Sequence, residues 1–315
     1  MTPVSEYDKT VFNPNKEYHL HIDADTLLFS CAVVVDKDPC LVTHKASGRK
    51  KEFETFTHFM QFLKEDEKGK KFTVKDFDVP TIGFAFSNFN NKLNDLLQRT
   101  WIGDYTLYLG GKTNFRKDIY PEYKANRKSS PAMRSVLFDY VCWKYKGKVV
   151  VSVNKEAEDD CLAYAVADEK GVIGYCDKDL TGQSGLFFNY QKPEDGVYFI
   201  NKKQAFYNLC CQLLHGDRTT DNIKGIDFVS KSLKEAYSIK TKSVGEGTAR
   251  KLLEECIGDI DLLRERVIDI YKHSYGDGWK EALQFTGSLV YISPRHNEFF
   301  DVNRFITGEK DEKQP

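Results

Sequence analysis

Carboxylates recur in this chain as tight groups beside apolar segments. They are Asp23 and Asp25 in HIDAD, Glu156, Glu158, Asp159 and Asp160 in EAEDD, Asp177 and Asp179 in CDKDL, and Asp217 and Asp221 in HGDRTTDN. Taking an isolated carboxylate out of water is costly, so a cluster at the edge of a core must be offset by cations or by raised pKa values. Oxygen ligands without Cys or His suit Mg²⁺ or Mn²⁺ rather than zinc. Two such ions about 3.5–4 Å apart can stabilise both the attacking and the leaving oxygen of a phosphodiester displacement. Helix caps and turns account for any one pair of acids. Four groups, each at the end of a strand or helix, are harder to explain by capping.

The basic residues are segregated from these acids. The net charge of the 315 residues is only −1, yet the stretch 112–148 holds ten Lys and Arg (112, 116, 117, 124, 127, 128, 134, 144, 146, 148) against three acids. The stretch 156–179 reverses this, with eight acids against Lys170 and Lys178. A second basic stretch at 231–251 carries Lys231, Lys234, Lys240, Lys242, Arg250 and Lys251 against Glu235 and Glu246. Alternating blocks of this kind suit a polyanion lying on the basic surfaces, with divalent cations between it and the carboxylates.

These side chains need elements to hold them. HLHID, between Tyr18 and Asp25, alternates apolar and polar positions and reads as a strand delivering Asp23 and Asp25 at its carboxyl end. Further strands are expected at 81–86, 104–109, 148–153 and 171–176, the last delivering Asp177 and Asp179. Helices are expected at 26–35, 53–63, 90–99, 136–145 and 157–167, and 64–75 reads as a surface connection. The 157–167 helix opens on acids that complement its dipole. Strands alternating with helices predict an α/β fold with a mostly parallel central sheet and its site at the carboxyl ends of the strands. Beyond 201 the pattern turns helical, at 203–214, 248–256 and 259–271, which divides the chain into 1–200 and 201–315; 309–315 reads as a polar tail.

Composition narrows the class. Apolar residues make up 41%, enough for a sizeable core. No apolar run approaches the roughly 20 residues that span a bilayer, and MTPVSEYDKT lacks a signal-peptide core, so a cytoplasmic protein without a membrane role is expected. The eight cysteines show no CxxC spacing and are expected as reduced thiols.

The order HIDAD, NFRKDIYPEYKANR, EAEDDCLAY, CDKDL, HGDRTTDNIKGI, SVGEGTARKLL resembles the flap endonuclease/5′-exonuclease family, above all its phage and bacterial 5′-nucleases, over about residues 18–253. The resemblance implies a 5′-nuclease fold, related to the PIN type, with a helical arch and a helix–hairpin–helix region. It implies Mg²⁺ or Mn²⁺ as a pair of ions, held by Asp23, Glu158, Asp159, Asp160 and Asp177 at one site, with Asp179, Asp217 and Asp221 shaping the second. Lys124 and Arg127 fall in the Y-K-x-N-R signature and are implied to act on the scissile phosphate, with Tyr123 near the terminal nucleotide. Phe115 is a further candidate for stacking on an unpaired base. Arg116, Lys117 and Lys128 are implied to contact DNA within a mobile arch at 116–128. Lys242, Gly245, Gly247, Arg250 and Lys251 are implied to hold duplex phosphates, with K⁺ at a tight turn formed by Gly245, Gly247 and Ala249. The implied partners are DNA 5′ ends, flaps and duplexes, with RNA–DNA hybrid a further substrate, for a monomeric enzyme of phage DNA replication, recombination or primer removal.

Three features depart from the pattern. Gly110 or Gly111 stands where many relatives carry a ligand Asp, a place for Asp25 or a water to fill. With the Asp pair aligned, the motif's Glu falls on Ala157, which leaves Glu156 or Glu158, the latter preferred. About 15–20 residues are inserted within 225–245, and Asp217 and Asp221 lie one residue further apart than usual. Two rivals stand beside the nuclease: a DNA-binding module without catalysis, on the strength of Gly110 and Gly111, and a PIN-type ribonuclease.

Overall fold

The computed structural model describes residues 8–308 apart from 15 and 128, so Lys128 and the polar tail at 309–315 lie outside the described residues. HLHID forms β1 (His19–Asp23), with Leu20 and Ile22 fully buried. It runs into α1 (Asp25–Val35). A small antiparallel sheet follows, built from β2 (Cys40–His44), β3 (Lys50–Phe53) and, after α2 (Phe56–Glu65), β4 (Phe77–Asp78). α3 (Pro80–Thr100) comes next. The expected strand at 81–86 is therefore the first turns of this helix. Pro80 at its first position needs no N–H there, and Ala85, Phe89, Leu93 and Leu96 are buried at helical spacing while Phe84 faces solvent.

β5 (Asp104–Leu109) leads to the short α4 (Phe115–Ile119), which stops ahead of Pro121 because the residue before a proline is pushed out of helical geometry. α5 (Met133–Lys144), β6 (Val149–Val151), α6 (Ala157–Ala167) and β7 (Gly171–Tyr175) match the sequence expectation closely. Two strands not foreseen then complete the sheet, β8 (Gly185–Asn189) and β9 (Val197–Ile200).

The sheet order is β6-β5-β1-β7-β8-β9, parallel except for β9. Helices cover both faces. Leu20, Ile22, Leu107 and Val172 pack towards α1, α3 and α5, while Tyr108, Ile173 and Tyr175 pack towards α6. The chain leaves β1 for β5 on one side and returns past it to β7 on the other. That crevice, beyond the carboxyl ends of the strands, is where open α/β sheets place their ligands.

After β9 the chain is helical: α7 (Lys202–His215), α8 (Lys231–Tyr237), α9 (Glu246–Leu253), α10 (Ile260–Tyr275), α11 (Trp279–Val290) and α12 (Val302–Thr307). These share their own core of Leu213, Leu214, Ile226, Leu253, Leu263, Val267, Ile270 and Leu283. The insertion within 225–245 contains α8 and closes at its base, where the Val229 and Val244 amides donate to Lys242 and Ile226. No described helix is long and apolar enough to cross a membrane.

Candidate active site

Each acid group sits where an element ends. Asp23 closes β1, Asp25 opens α1, Asp177 and Asp179 follow β7, and Glu156 and Glu158 start α6. Burial raises Asp23 well above the ordinary carboxylate range, and the charges of Asp25 and Asp177 add to this. Burial and then Asp177 raise Glu158 in the same way. Asp179 is pushed up by burial, Asp177 and Asp217. Asp177 is raised by burial, partly offset by the Asp179 amide, which donates to its Oδ1 at 3.0 Å. These groups feel one another's charge across a single crevice.

The donor set is all oxygen and repels itself, which fits a hard divalent cation. Among the described residues, no three acidic, His or Cys side chains are gathered closely enough to cage an ion as they stand. Asp25 lies where a side chain at Gly110 would stand. A Cβ at Gly110 would lie 2.5 Å from Asp25 Oδ2, so the carboxylate fills the space a side chain there would take. Burial raises Asp25, while Arg134, 3.1 Å away, and the Gly110 amide restrain the shift. Nothing in the basic stretch singled out Arg134 beforehand.

The other acids are engaged. Lys124 Nζ lies 2.6 Å from Glu156 Oε1 and 3.7 Å from Asp221 Oδ2. Burial would raise Glu156, but Lys124, Arg116 and Arg127 outweigh it and hold the carboxyl below its usual range. Burial would lower Lys124, and Glu156, Glu158 and Asp221 outweigh it in turn. Arg127 donates to Asp221 Oδ1 at 2.5 Å. The Tyr123 hydroxyl donates to Asp221 at 3.0 Å and Glu156 at 3.3 Å, with its ring buried in the helical core rather than open to a base. Phe115 packs edge-on against Phe299. Of the α6 acids, Asp160 pairs with Lys155 and His296. Asp159 pairs with Arg116 and accepts the Glu156 amide. Glu156 and Glu158 thus both face the crevice, where the sequence had left the two as alternatives with Glu158 preferred.

The described part of the expected arch, 116–127, departs from expectation as well. Where a mobile helical arch or clamp was expected, the turns after α4 lie on the 217–222 loop and α4 is tied to α11 through Arg116. The Lys124 amide donates to Asp221 O at 2.9 Å, Asn126 to Arg218 O at 3.1 Å and Asn222 to Glu122 O at 3.0 Å. Arg116, expected on a DNA-facing surface, is 2% exposed.

Lys117, Lys242 and Lys251 are exposed, and Arg250 is half-buried against Glu246 at 2.9 Å. Gly245 and Gly247 do not form a tight turn: Gly245 is the extended N-cap of α9 (φ −94°, ψ 175°), Gly247 lies within the helix, and neither has a positive φ. Ala249 is buried.

No protein-family model matches the chain, and no curated protein matches it. Among solved structures it is similar to the bacteriophage T5 flap endonuclease in a pseudo-enzyme–product complex with DNA and metal ions, at 14% identity, TM-score 0.36, covering 65% of this chain and 90% of that one. It is similar also to the T5 protein co-crystallised with metal ions (14%, TM-score 0.37, 71% and 91% covered) and to a mutant T5 5′-exonuclease (13%, TM-score 0.35, 67% and 96%). At this level of likeness, the role of each residue rests on the geometry.

Proposed function

We propose that this protein is a divalent-cation-dependent nuclease that hydrolyses DNA phosphodiesters near 5′ ends, as an exonuclease or flap endonuclease. The observation that carries the reading is the convergence of Asp23, Glu158, Asp177 and Asp179 at the strand ends beside the Lys124–Arg127 segment. Asp23, Asp25, Glu158 and Asp177, with Asp179, Asp217 and Asp221 further along the crevice, would hold Mg²⁺ or Mn²⁺, which would polarise the phosphate and acidify the attacking water.

Lys124 and Arg127 supply the rest of the electrostatics. Their N–H groups, now shared with Glu156 and Asp221, can pass to the phosphoryl oxygens as negative charge builds there, a contribution of about 2–4 kcal/mol for each well-placed group. Lys117, Lys128, Lys242, Arg250 and Lys251 serve to hold backbone phosphates without reading sequence. The role that suits such an activity is trimming 5′ ends in replication, including primer removal.

Nicked, flapped and blunt DNA, and an RNA–DNA hybrid, each 5′-labelled and incubated with Mg²⁺ or with EDTA, test the reading. Mononucleotides identify an exonuclease and flap-length products an endonuclease. Intact DNA at every cation concentration would sink both.

A further inference from the structure

We infer that Arg116 is a positioning residue that sets the first turn of α6, so that Glu156 and Glu158 face the crevice, and that Asp159 is its anchor and not a cation ligand. The inference rests on the nuclease reading, since it concerns how that site is held. Arg116 donates from Nη1 and Nη2 to the two oxygens of Asp159, at 2.7 and 2.8 Å, in a planar two-point pairing. Its Nε donates to Leu289 O at 2.9 Å and Nη2 to Tyr291 O at 3.2 Å. Those bonds use four of the five donors a guanidinium has, and the fifth belongs to a side chain only 2% exposed, out of reach of a DNA phosphate on the surface.

The pairing joins three elements. The carbonyls of Leu289 and Tyr291 belong to the end of α11, where helix geometry leaves oxygens without partners and favours a cation. Asp159 Oδ2 also accepts the Glu156 N–H at 2.9 Å, and the Asp159 N–H donates in return to the Glu156 side chain, closing a capping box. Asn114, the N-cap of α4 just before Arg116, donates its side-chain amide to Glu156 Oε1. The orientation of the α6 start is therefore fixed by a guanidinium that also caps α11. Glu156 and Glu158 share that first turn with Asp159, so any rotation there moves both carboxylates.

Mn²⁺ binding to the full chain without DNA, followed by calorimetry and by the electron-spin signal of free Mn²⁺, tests this by its sign. If Arg116 positions, R116Q weakens Mn²⁺ binding about tenfold, as removal of a supporting partner does at metal sites generally. The salt dependence of DNA binding in EDTA should stay as in the wild type. Tighter Mn²⁺ binding by R116Q would mean that Asp159 is itself a ligand, released from its partner, and would overturn the assignment. Unchanged Mn²⁺ binding would reduce the pair to packing, and a salt slope shallower by about one unit would return Arg116 to the DNA interface. If circular dichroism shows R116Q unfolded, R116K, which keeps the charge without the fork, reads the same sign at smaller amplitude. A wild-type protein that binds no Mn²⁺ and leaves DNA intact removes the nuclease reading and this inference together; a wild type that binds Mn²⁺ and cleaves DNA, beside an unaffected R116Q, removes this inference alone.

Discussion

Two sets of carboxylates share the same crevice and are treated differently. Glu156, Asp159, Asp160 and Asp221 each lie within ion-pairing distance of a Lys or Arg. Asp23, Glu158, Asp177 and Asp179 have no such partner among the described residues, and burial with mutual repulsion raises all four. The first set ties α6 and the 114–127 segment into the fold. The second is held together against its own charge by strand ends and helix starts, the arrangement a cation-binding site requires. Position within one turn decides membership: Glu158 and Asp159 are adjacent in sequence and belong to opposite sets.

Neutral substitutions should therefore separate the sets cleanly. Asp177→Asn is expected to slow cleavage at least about 10³-fold, in line with losing an electrostatic group from a reacting site, while DNA binding holds or tightens. In EDTA the same variant should melt no lower than wild type, because it removes a repelling charge. Asp159→Asn should instead lose stability first. It leaves Arg116 buried without its counter-charge, a loss of about 3 kcal/mol in chemical denaturation. A stable Asp159→Asn protein with an unstable Asp177→Asn protein would dissolve the distinction.

Lys124 pairs with Glu156 and Asp221, and in the proposed reaction it would pass to the substrate. Lys124→Ala is expected to slow single-turnover cleavage about 10²-fold and to raise the DNA dissociation constant much less. An effect confined to binding would demote it to an anchor. Gly110→Ala tests Asp25, which shares the crevice with the unpaired set but is itself paired with Arg134: its Cβ would meet Asp25 Oδ2 at 2.5 Å, and a shift of that carboxylate should cost about tenfold in kcat. Gly110→Ala with wild-type rates would mean that Asp25 has no part in the site.

The unpaired set also has a signature in pH. A carboxyl whose pKa is raised in the fold contributes stability that is complete below its unfolded value, about 4, and is lost as pH rises through the folded value. In EDTA, stability contributed by Asp23, Glu158, Asp177 and Asp179 should accordingly fall from about pH 4 upward. Saturating Mg²⁺ should raise the melting temperature by about 5 °C near pH 8 and by little near pH 5, where protons compete for the same oxygens. A Mg²⁺ effect independent of pH would argue against these four as ligands.

How much of this was legible beforehand follows from what each residue needed. β1, β5, β6, β7 and α6 were read correctly because apolar alternation or acids in a first turn are local signals. The start of α3 was misread, since Ile82, Phe84 and Phe86 alternate as a strand would, and only the buried positions from Ala85 to Leu96 reveal the helical period. Asp23, Glu158, Asp177 and Asp179 were all singled out as site residues, because each closes or opens a recognisable element, but Asp179 was placed with Asp217 and Asp221, and Asp159 and Asp160 were placed with the other three. The pairing of Arg116 with Asp159 was not anticipated. It depends on α11, more than a hundred residues away, and no spacing within NFRKDIYPEYKANR or EAEDD encodes where the carbonyls of Leu289 and Tyr291 will lie. Asp25 filling the space at Gly110 also brings the start of α1 against the end of β5, but there the sequence comparison had already offered Asp25, beside a water, as the filler.

The smallest effects are expected outside the crevice, on cations that belong to neither set. Lys117 and Lys251 are exposed and have no ion pair among the described residues. Lys117→Ala or Lys251→Ala should weaken DNA binding only a few-fold at moderate salt and leave single-turnover cleavage of saturated substrate unchanged. Each should also lower the slope of log K against log salt by about 0.9 for every phosphate it no longer neutralises. The two changes should add, because the residues lie on α4 and α9 and share no partner. If either one alone slowed chemistry as much as Lys124→Ala, the division between holding the backbone and acting on the phosphate would have to be redrawn.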